Sequence, residues 1–358
     1  MIPTTSAAAR ALSRSVRRFG DGRGLLSVVV TRSTAANRCT GSRLATNAEN
    51  RDMTKRGAGN LSEGDPKRAK KTKALVDHRR WRELREGAVD PTGPILYWCS
   101  RDQRVNDNWA LLHCVDLALQ HDTSIAVVFN LVDAYKSAGA RHYGFMLRGL
   151  KEMDARLASL GIPFLLVRGD PGSMIPQVVR NVSACCLVTD FSPLRGGRKW
   201  RREVAARVSV PVHEVDAHNV VPVWTASPKL EFAARTIRPK ITNLLPTFLK
   251  EFPANQSETL KHVAPKMPCS NGDAIDWDGL LAEFLEKGKE VPEVNWLKPG
   301  EDAGLAALTK FVTPARLGPY GEMRNDPSNG EALSGLSPYL HYGMLAPQRC
   351  AIEATKFK

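Results

Sequence analysis

Leu333-Ser334-Gly335-Leu336-Ser337-Pro338-Tyr339-Leu340 is the stretch best suited to hold an anion. Ser337 is placed to cap a helix and Pro338 suits its first turn. A helix start presents free backbone N–H groups and the positive end of the dipole, which favours phosphate, and Ser334 adds a hydroxyl just upstream. An ordinary capped helix carries the same signature. A second candidate is Ser100-Arg101-Asp102-Gln103-Arg104, which follows the apolar run Ile95–Cys99. It contains no glycine, and the chain has neither G-x-G-x-x-G nor a P-loop, so ordinary NAD or ATP phosphate binding has no support. Arg101 and Asp102 are placed to pair with each other and brace this loop.

Other chemistries find less. The eight histidines, at 78, 113, 121, 142, 213, 218, 262 and 341, form no H-x-x-x-H pair and flank no nucleophile motif. His113 and His341 read as helix-packing residues, and His218 as a hydrogen-bonding loop residue. The seven cysteines, at 39, 99, 114, 185, 186, 269 and 350, give no C-x-x-C pair and no zinc spacing. They read as reduced, buried thiols of an intracellular protein, and no metal site is expected.

The net charge of +14 invites a nucleic-acid reading. Residues 1–86, however, hold 20 Lys and Arg against 8 Asp and Glu, leaving 31 against 29 for the remainder. The first 48 residues are rich in Arg and Ser with Asp21 as the one acid, the composition of a transit peptide, so an organelle (mitochondrion or chloroplast) is expected as the destination. Lys67-Arg68-Ala69-Lys70-Lys71-Thr72-Lys73 reads as a nuclear import signal, a nucleic-acid tether or a solvated charge run. A further ten basic against four acidic residues fall within 195–240. Arg198, Lys199, Arg201 and Arg202 read there as a solvated helix face, and Lys229, Arg235, Arg238 and Lys240 as either that or a phosphate-binding surface.

The elements that position these groups follow from periodicity. Ile95–Cys99, Ser124–Phe129, Pro163–Val167, Cys185–Asp190 and Val210–Val215 are short apolar runs, read as five strands. Helical segments lie between them, the clearest placing Met146, Leu150, Met153, Leu157 and Leu160 on one face, closed by Gly161. Strands alternating with helices predict an α/β fold, a Rossmann-like doubly wound parallel five-stranded sheet. After Asp216 the alternation stops. Ser227 and Pro228 predict a helix from about Lys229, followed by segments near 276–287, 302–311 and 337–355, the first part of an all-helical domain. The chain therefore divides into a leader (1–48), a basic disordered linker (49–93), the α/β domain (94–216), an interdomain linker (217–228) and an incomplete helical domain (229–358). No apolar run reaches membrane-spanning length.

Four long motifs in register give a resemblance. Ser100-Arg101-Asp102-Gln103-Arg104-Val105-Asn106-Asp107-Asn108-Trp109-Ala110-Leu111, Thr189-Asp190-Phe191-Ser192-Pro193-Leu194-Arg195, Val215-Asp216-Ala217-His218-Asn219-Val220-Val221-Pro222 and Ala233-Ala234-Arg235-Thr236-Ile237-Arg238-Pro239-Lys240-Ile241 resemble class II cyclobutane-pyrimidine-dimer DNA photolyases, over about residues 94–356. The resemblance implies an α/β antenna domain, in some members holding a deazaflavin or folate type chromophore, and a helical domain holding FAD. It implies light-driven electron transfer from reduced FAD to a flipped-out dimer in UV-damaged DNA, by a monomer with no membrane contact. Leu333, Ser334, Gly335, Leu336 and Ser337 match the segment that holds the FAD diphosphate. Tyr320 matches a flavin-contacting tyrosine, and Arg324 a basic residue facing the lesion-bearing DNA. The residues that enclose the isoalloxazine ring and carry electrons are expected beyond Lys358, in a form truncated at its C-terminus, so residues 1–358 alone are expected to bind FAD weakly or not at all. A cryptochrome-like signalling protein and a non-catalytic α/β binding module are the competing readings.

Overall fold

The computed structural model describes residues 74–265, 274–326 and 328–357, so the leader and the 67–73 basic cluster lie outside the described residues. Its strands are β1 (Trp81–Arg85), β2 (Ile95–Cys99), β3 (Ile125–Leu131), β4 (Phe164–Arg168), β5 (Cys186–Asp190) and β6 (Val212–Val215). Between them run α1 (Trp109–His121), α2 (Ala140–Ser159), α3 (Pro171–Asn181) and α4 (Arg195–Arg207). The sheet order is β1-β6-β5-β2-β3-β4, with β2 to β6 parallel and β1 antiparallel against β6. The five expected parallel strands are all present. Every residue of β2, β3, β5 and β6 is buried, as a sheet covered on both faces requires.

Two apolar cores follow from the pleat. Ile95, Tyr97 and Cys99 face one side with Leu111, Leu147, Leu150 and Leu157 of α1 and α2. Leu96 and Trp98 face the other with Ile175, Val179 and Val204 of α3 and α4. The helical face read from residues 146–160 is mostly inward: Leu150, Met153, Leu157 and Leu160 are buried, Met146 half-buried. Gly161 closes it with φ +75°.

The sixth strand corrects the sequence reading, which placed residues 49–93 in a disordered linker. Leu75 and Val76 donate backbone N–H groups to the Asp116 carboxylate on α1, both at 2.9 Å. Arg80, 2% exposed, donates to the carbonyls of Asn219, Val220 and Phe248 and to Gln348 Oε1. Trp81 then stacks on His113 and His213, with ring centroids 4.7 and 4.6 Å away. The charged sequence Trp-Arg-Glu-Leu-Arg hides this strand because it lies at the sheet edge, where Arg82 pairs across to Glu214 at 2.6 Å.

Beyond β6 the chain forms α5 (Val223–Ala226), α6 (Ala234–Phe248), α7 (Gln256–His262), α8 (Trp277–Lys287), α9 (Glu301–Phe311), α10 (Pro314–Leu317), α11 (Tyr320–Met323), α12 (Ser337–His341) and α13 (Pro347–Lys356). The helix expected from Lys229 starts at Ala234 instead. The Ser227 hydroxyl donates to Glu231, whose carboxylate holds Lys240 at 2.6 Å, and does not cap a helix. The 217–228 stretch is not wholly irregular either, since it contains α5. The helix expected over 337–355 is two, broken at Gly343 with φ +66°. Among the described residues no helix is long and apolar enough to cross a membrane.

The β1 edge predicts a pH dependence. His113 Nε2 lies 2.9 Å from His213 Nδ1, with Glu83 4.0 Å from His213. Burial and the neighbouring His213 push His113 down to about 3, and burial pushes His213 down to about 4. Both bases are depressed, so the folded state binds fewer protons than the unfolded state below pH ~6.5. Their contribution is full above that pH and is lost as pH falls through about 4 for His213 and about 3 for His113. Urea midpoints should decline over this window, with His213→Phe declining less, because a phenyl ring keeps the stack on Trp81 but cannot be protonated.

Candidate functional site

A doubly wound sheet receives ligands at the carboxyl ends of its strands, where the winding direction reverses. Here that point lies between β2 and β5. Asp190, at the end of β5 and fully buried, fills it. Its carboxylate accepts the backbone N–H groups of Ser100, Arg101 and Asp102 at 2.8, 2.8 and 3.2 Å, and the Tyr97 hydroxyl at 2.6 Å. These three N–H groups form the anion-binding turn that a dinucleotide fold would offer to phosphate, and a side chain of the same chain satisfies them. Burial and the charge of Asp102 raise the Asp190 carboxyl above its ordinary value.

The loop after β2 is braced by Arg104. Asp102 does not pair with Arg101, as its sequence position suggests. Its Oδ1 accepts from Arg104 at 2.6 Å and lies 3.1 Å from His218 Nδ1. Burial pushes the Asp102 carboxyl up, but Arg104 and His218 overcome this and hold it well below the usual carboxylate range. Arg104 also donates to the carbonyls of Asp107, Ala217 and Gly343 at 2.8–3.1 Å. His218 is thus the hydrogen-bonding loop residue expected. His113 is buried against His213, whereas His341 is exposed and meets Tyr342 edge-on rather than packing inside a helix interface.

The residues matched to the flavin segment lie in the helical part. Leu336 is 4% exposed and packs with Phe145, Leu308, Phe311, Tyr339, Met344 and Leu345. Tyr320 packs on the same cluster, its ring edge-on to Phe311 at 5.0 Å, and Arg324 stands over the Tyr320 ring at 5.9 Å. Arg316 donates to the Leu333 carbonyl at 2.8 Å, joining the two segments. The structure therefore brings Tyr320, Arg324 and residues 333–337 into one neighbourhood.

The helix start differs from the expected cap. Leu336 holds the N-cap position and Ser337 is already the first helical residue of a five-residue helix, with no side-chain cap bond. The hydroxyl that serves locally belongs to Ser334, which accepts from Leu336 N–H at 3.4 Å. Ser337 is left exposed. Gly335 adopts φ +71°, and nothing lies within 4 Å of where its Cβ would stand. An open glycine turn between two serines fits a diphosphate in donor chemistry and in room.

Sequence reasoning assigned no role to Asp190, Tyr97, Gly343 or Arg316. The Thr-Asp step ending an apolar strand is the trace that could have pointed to Asp190, because a buried strand seldom ends on an unpaired acid.

Residues 95–257 match the family model described as DNA photolyase. The chain is 48% identical to the deoxyribodipyrimidine photo-lyase of Arabidopsis thaliana over 79% of its own length and 58% of the relative's. It is 44% identical to that of Oryza sativa subsp. japonica, over 77% and 55%, and 42% identical to that of Potorous tridactylus, over 75% and 49%. It thus spans about half the length of the curated relatives it matches. Among solved structures, the cryptochrome of Synechocystis sp. PCC6803 superposes with a TM-score of 0.55 at 18% identity, covering 76% of this chain and 56% of that one.

Arg104→Leu leaves the buried Asp102 carboxylate short of its cation and should cost about 3–5 kcal/mol in chemical denaturation. Gly335→Ala should cost only about 1–2 kcal/mol, the strain of a side chain in the left-handed region. Gly343→Ala should cost clearly more, since its Cβ would stand 2.3 Å from the Arg101 carbonyl oxygen.

Proposed function

We propose that this chain, similar over most of its length to part of the deoxyribodipyrimidine photo-lyases and resembling their class II, serves light-driven repair of cyclobutane pyrimidine dimers, contributing the α/β domain and part of the FAD site. Photolyases and cryptochromes generally bind FAD. The observation that carries the residue assignment is the packing of Tyr320 and Leu336 on one apolar cluster, with Arg324 over the Tyr320 ring and the open Gly335 turn next to Leu336.

In this reading the backbone of Leu333–Ser337 and the hydroxyls of Ser334 and Ser337 hold the diphosphate. Tyr320 orients the flavin from beside Phe311. Arg324, exposed and free of any ion pair among the described residues, reaches the DNA backbone near the lesion. Bound in reduced form, FAD supplies the light-driven electron that opens the cyclobutane ring. The protein's own work is to position the cofactor and exclude water.

A second chromophore is proposed for the α/β domain only at a place other than the β2–β5 crevice, because Asp190 occupies that turn. An organellar or nuclear address is proposed from the leader composition alone.

FAD titrated into the purified chain, followed by flavin fluorescence, is expected to bind weakly. The pair Ser334→Ala and Ser337→Ala should weaken it by roughly a further tenfold. Equal affinities in the two proteins would remove Ser334 and Ser337 from the site.

A further inference from the structure

Helix α4, Arg195-Gly-Gly-Arg-Lys-Trp-Arg-Arg-Glu-Val-Ala-Ala-Arg207, carries six basic side chains and one acid, and the fold sorts them. Arg201 does not belong to the solvated face read from the sequence. It is 4% exposed, its Nε lies 2.5 Å from Glu214, and it donates to the Ser192 carbonyl at 2.7 Å, fixing the helix against β6. Arg195, Arg198, Lys199 and Arg202 stand outward, at spacings that place them on one face, and line a depression of about 470 Å3 with Glu203.

Glu203 answers Lys199 at 3.7 Å. Among the described residues no carboxylate pairs with Arg195, Arg198 or Arg202. The first turn holds no acid, so these cations repel one another and oppose the helix dipole. Beside them, Trp200 and Tyr135 approach with ring centroids 6.1 Å apart, and Lys136 adds another exposed cation.

We propose that this face of α4 is a docking surface for the phosphate backbone of duplex DNA, separate from Arg324 and indifferent to sequence and lesion. From Arg195 to Arg202 the row runs roughly 10 Å along the helix. That length matches about three phosphates of one strand. One exposed apolar side chain, Leu194 at the N-cap, adjoins the row, short of the apolar face that a helix seated on a membrane surface would need. The turn that would otherwise take phosphate at this end of the sheet is filled by Asp190, which leaves the α4 face as the positive surface beside it. The inference does not rest on flavin binding or repair.

The test is the salt dependence of binding to undamaged duplex DNA, read by anisotropy in the dark with the full chain. Arg195→Gln, Arg198→Gln and Arg202→Gln together should make the slope of log K against log salt shallower by about 2–3 units. Charges elsewhere, including the leader's, are common to both proteins and cancel. A control removing equal charge, Lys261→Gln, Lys287→Gln and Lys310→Gln, should change the slope by less than about one unit. The charge-keeping set of Arg195→Lys, Arg198→Lys and Arg202→Lys should restore the slope, which separates lost charge from lost folding.

An unchanged slope, an equal change in the control, or loss of binding to heparin or polyglutamate with DNA binding intact would each overturn the proposal. The expected slope change, with flavin affinity the same in the Ser334→Ala, Ser337→Ala protein, would count against the proposed flavin site alone.

Discussion

Arg104 joins three lengths of chain that lie far apart in sequence. At 1% exposure its guanidinium meets the Asp102 carboxylate and the Asp107 carbonyl of its own loop, the Ala217 carbonyl just past the last strand, and the Gly343 carbonyl beyond α12. A buried cation must have such partners, and a displaced partner would leave it with a desolvated charge. The pose of the helical segment against the sheet is therefore tied to the same group that shapes the loop after β2. Arg80 repeats the device at the sheet edge, linking residues 219–220, α6 and α13 through carbonyls and Gln348. Both use a planar fork of donors to satisfy several acceptors at once, which a lysine does not match.

Asp190 shows what the fold has given up. The doubly wound sheet keeps the geometry of a nucleotide-binding domain, down to three converging N–H groups at the reversal point, yet it supplies its own anion there. A side chain that fills such a turn makes it rigid without a ligand. The open glycine turn that fits a diphosphate lies instead in the helical part, where Gly335 leaves room and Leu336 anchors the turn in an apolar cluster.

How much of this was legible depended on whether the signal was local. The five parallel strands were readable because each is a short, mainly apolar run, fully buried in all but the half-buried edge strand β4, and α2 because its spacings of four and three fit only a helix. β1 was not, since an edge strand bearing Arg82, Glu83 and Arg85 looks like the charged linker before it. The buried arginines were invisible for a related reason: Arg80, Arg104 and Arg201 have the composition of surface residues, and only long-range partners place them inside. The break at Gly343 did have local signals, a glycine followed by Pro347, but the apolar residues between them masked it. The start signal at Ser227-Pro228 misled because the Ser227 oxygen accepts from the Lys229 N–H and from Lys240 in a turn that no helix continues, while its proton goes to Glu231. Residues 320, 324 and 333–337 were assigned by likeness alone. Their shared cluster could not be read from either segment alone.

The sorting of charge on α4 follows from the same economy of partners. Glu214 is 1% exposed and receives two arginines, Arg82 from the strand edge at 2.6 Å and Arg201 from the helix at 2.5 Å. One buried acid thus draws one cation of the helix inward, and that contact fixes which way the rest of the helix faces. With Arg201 turned to the sheet, helical periodicity sends residues 195, 198, 199 and 202 to solvent together. The outward row is a geometric consequence of the inward pair. Its density of like charge is not: a helix needs one basic residue to meet Glu214, and among the described residues no carboxylate answers Arg195, Arg198 or Arg202 on that face.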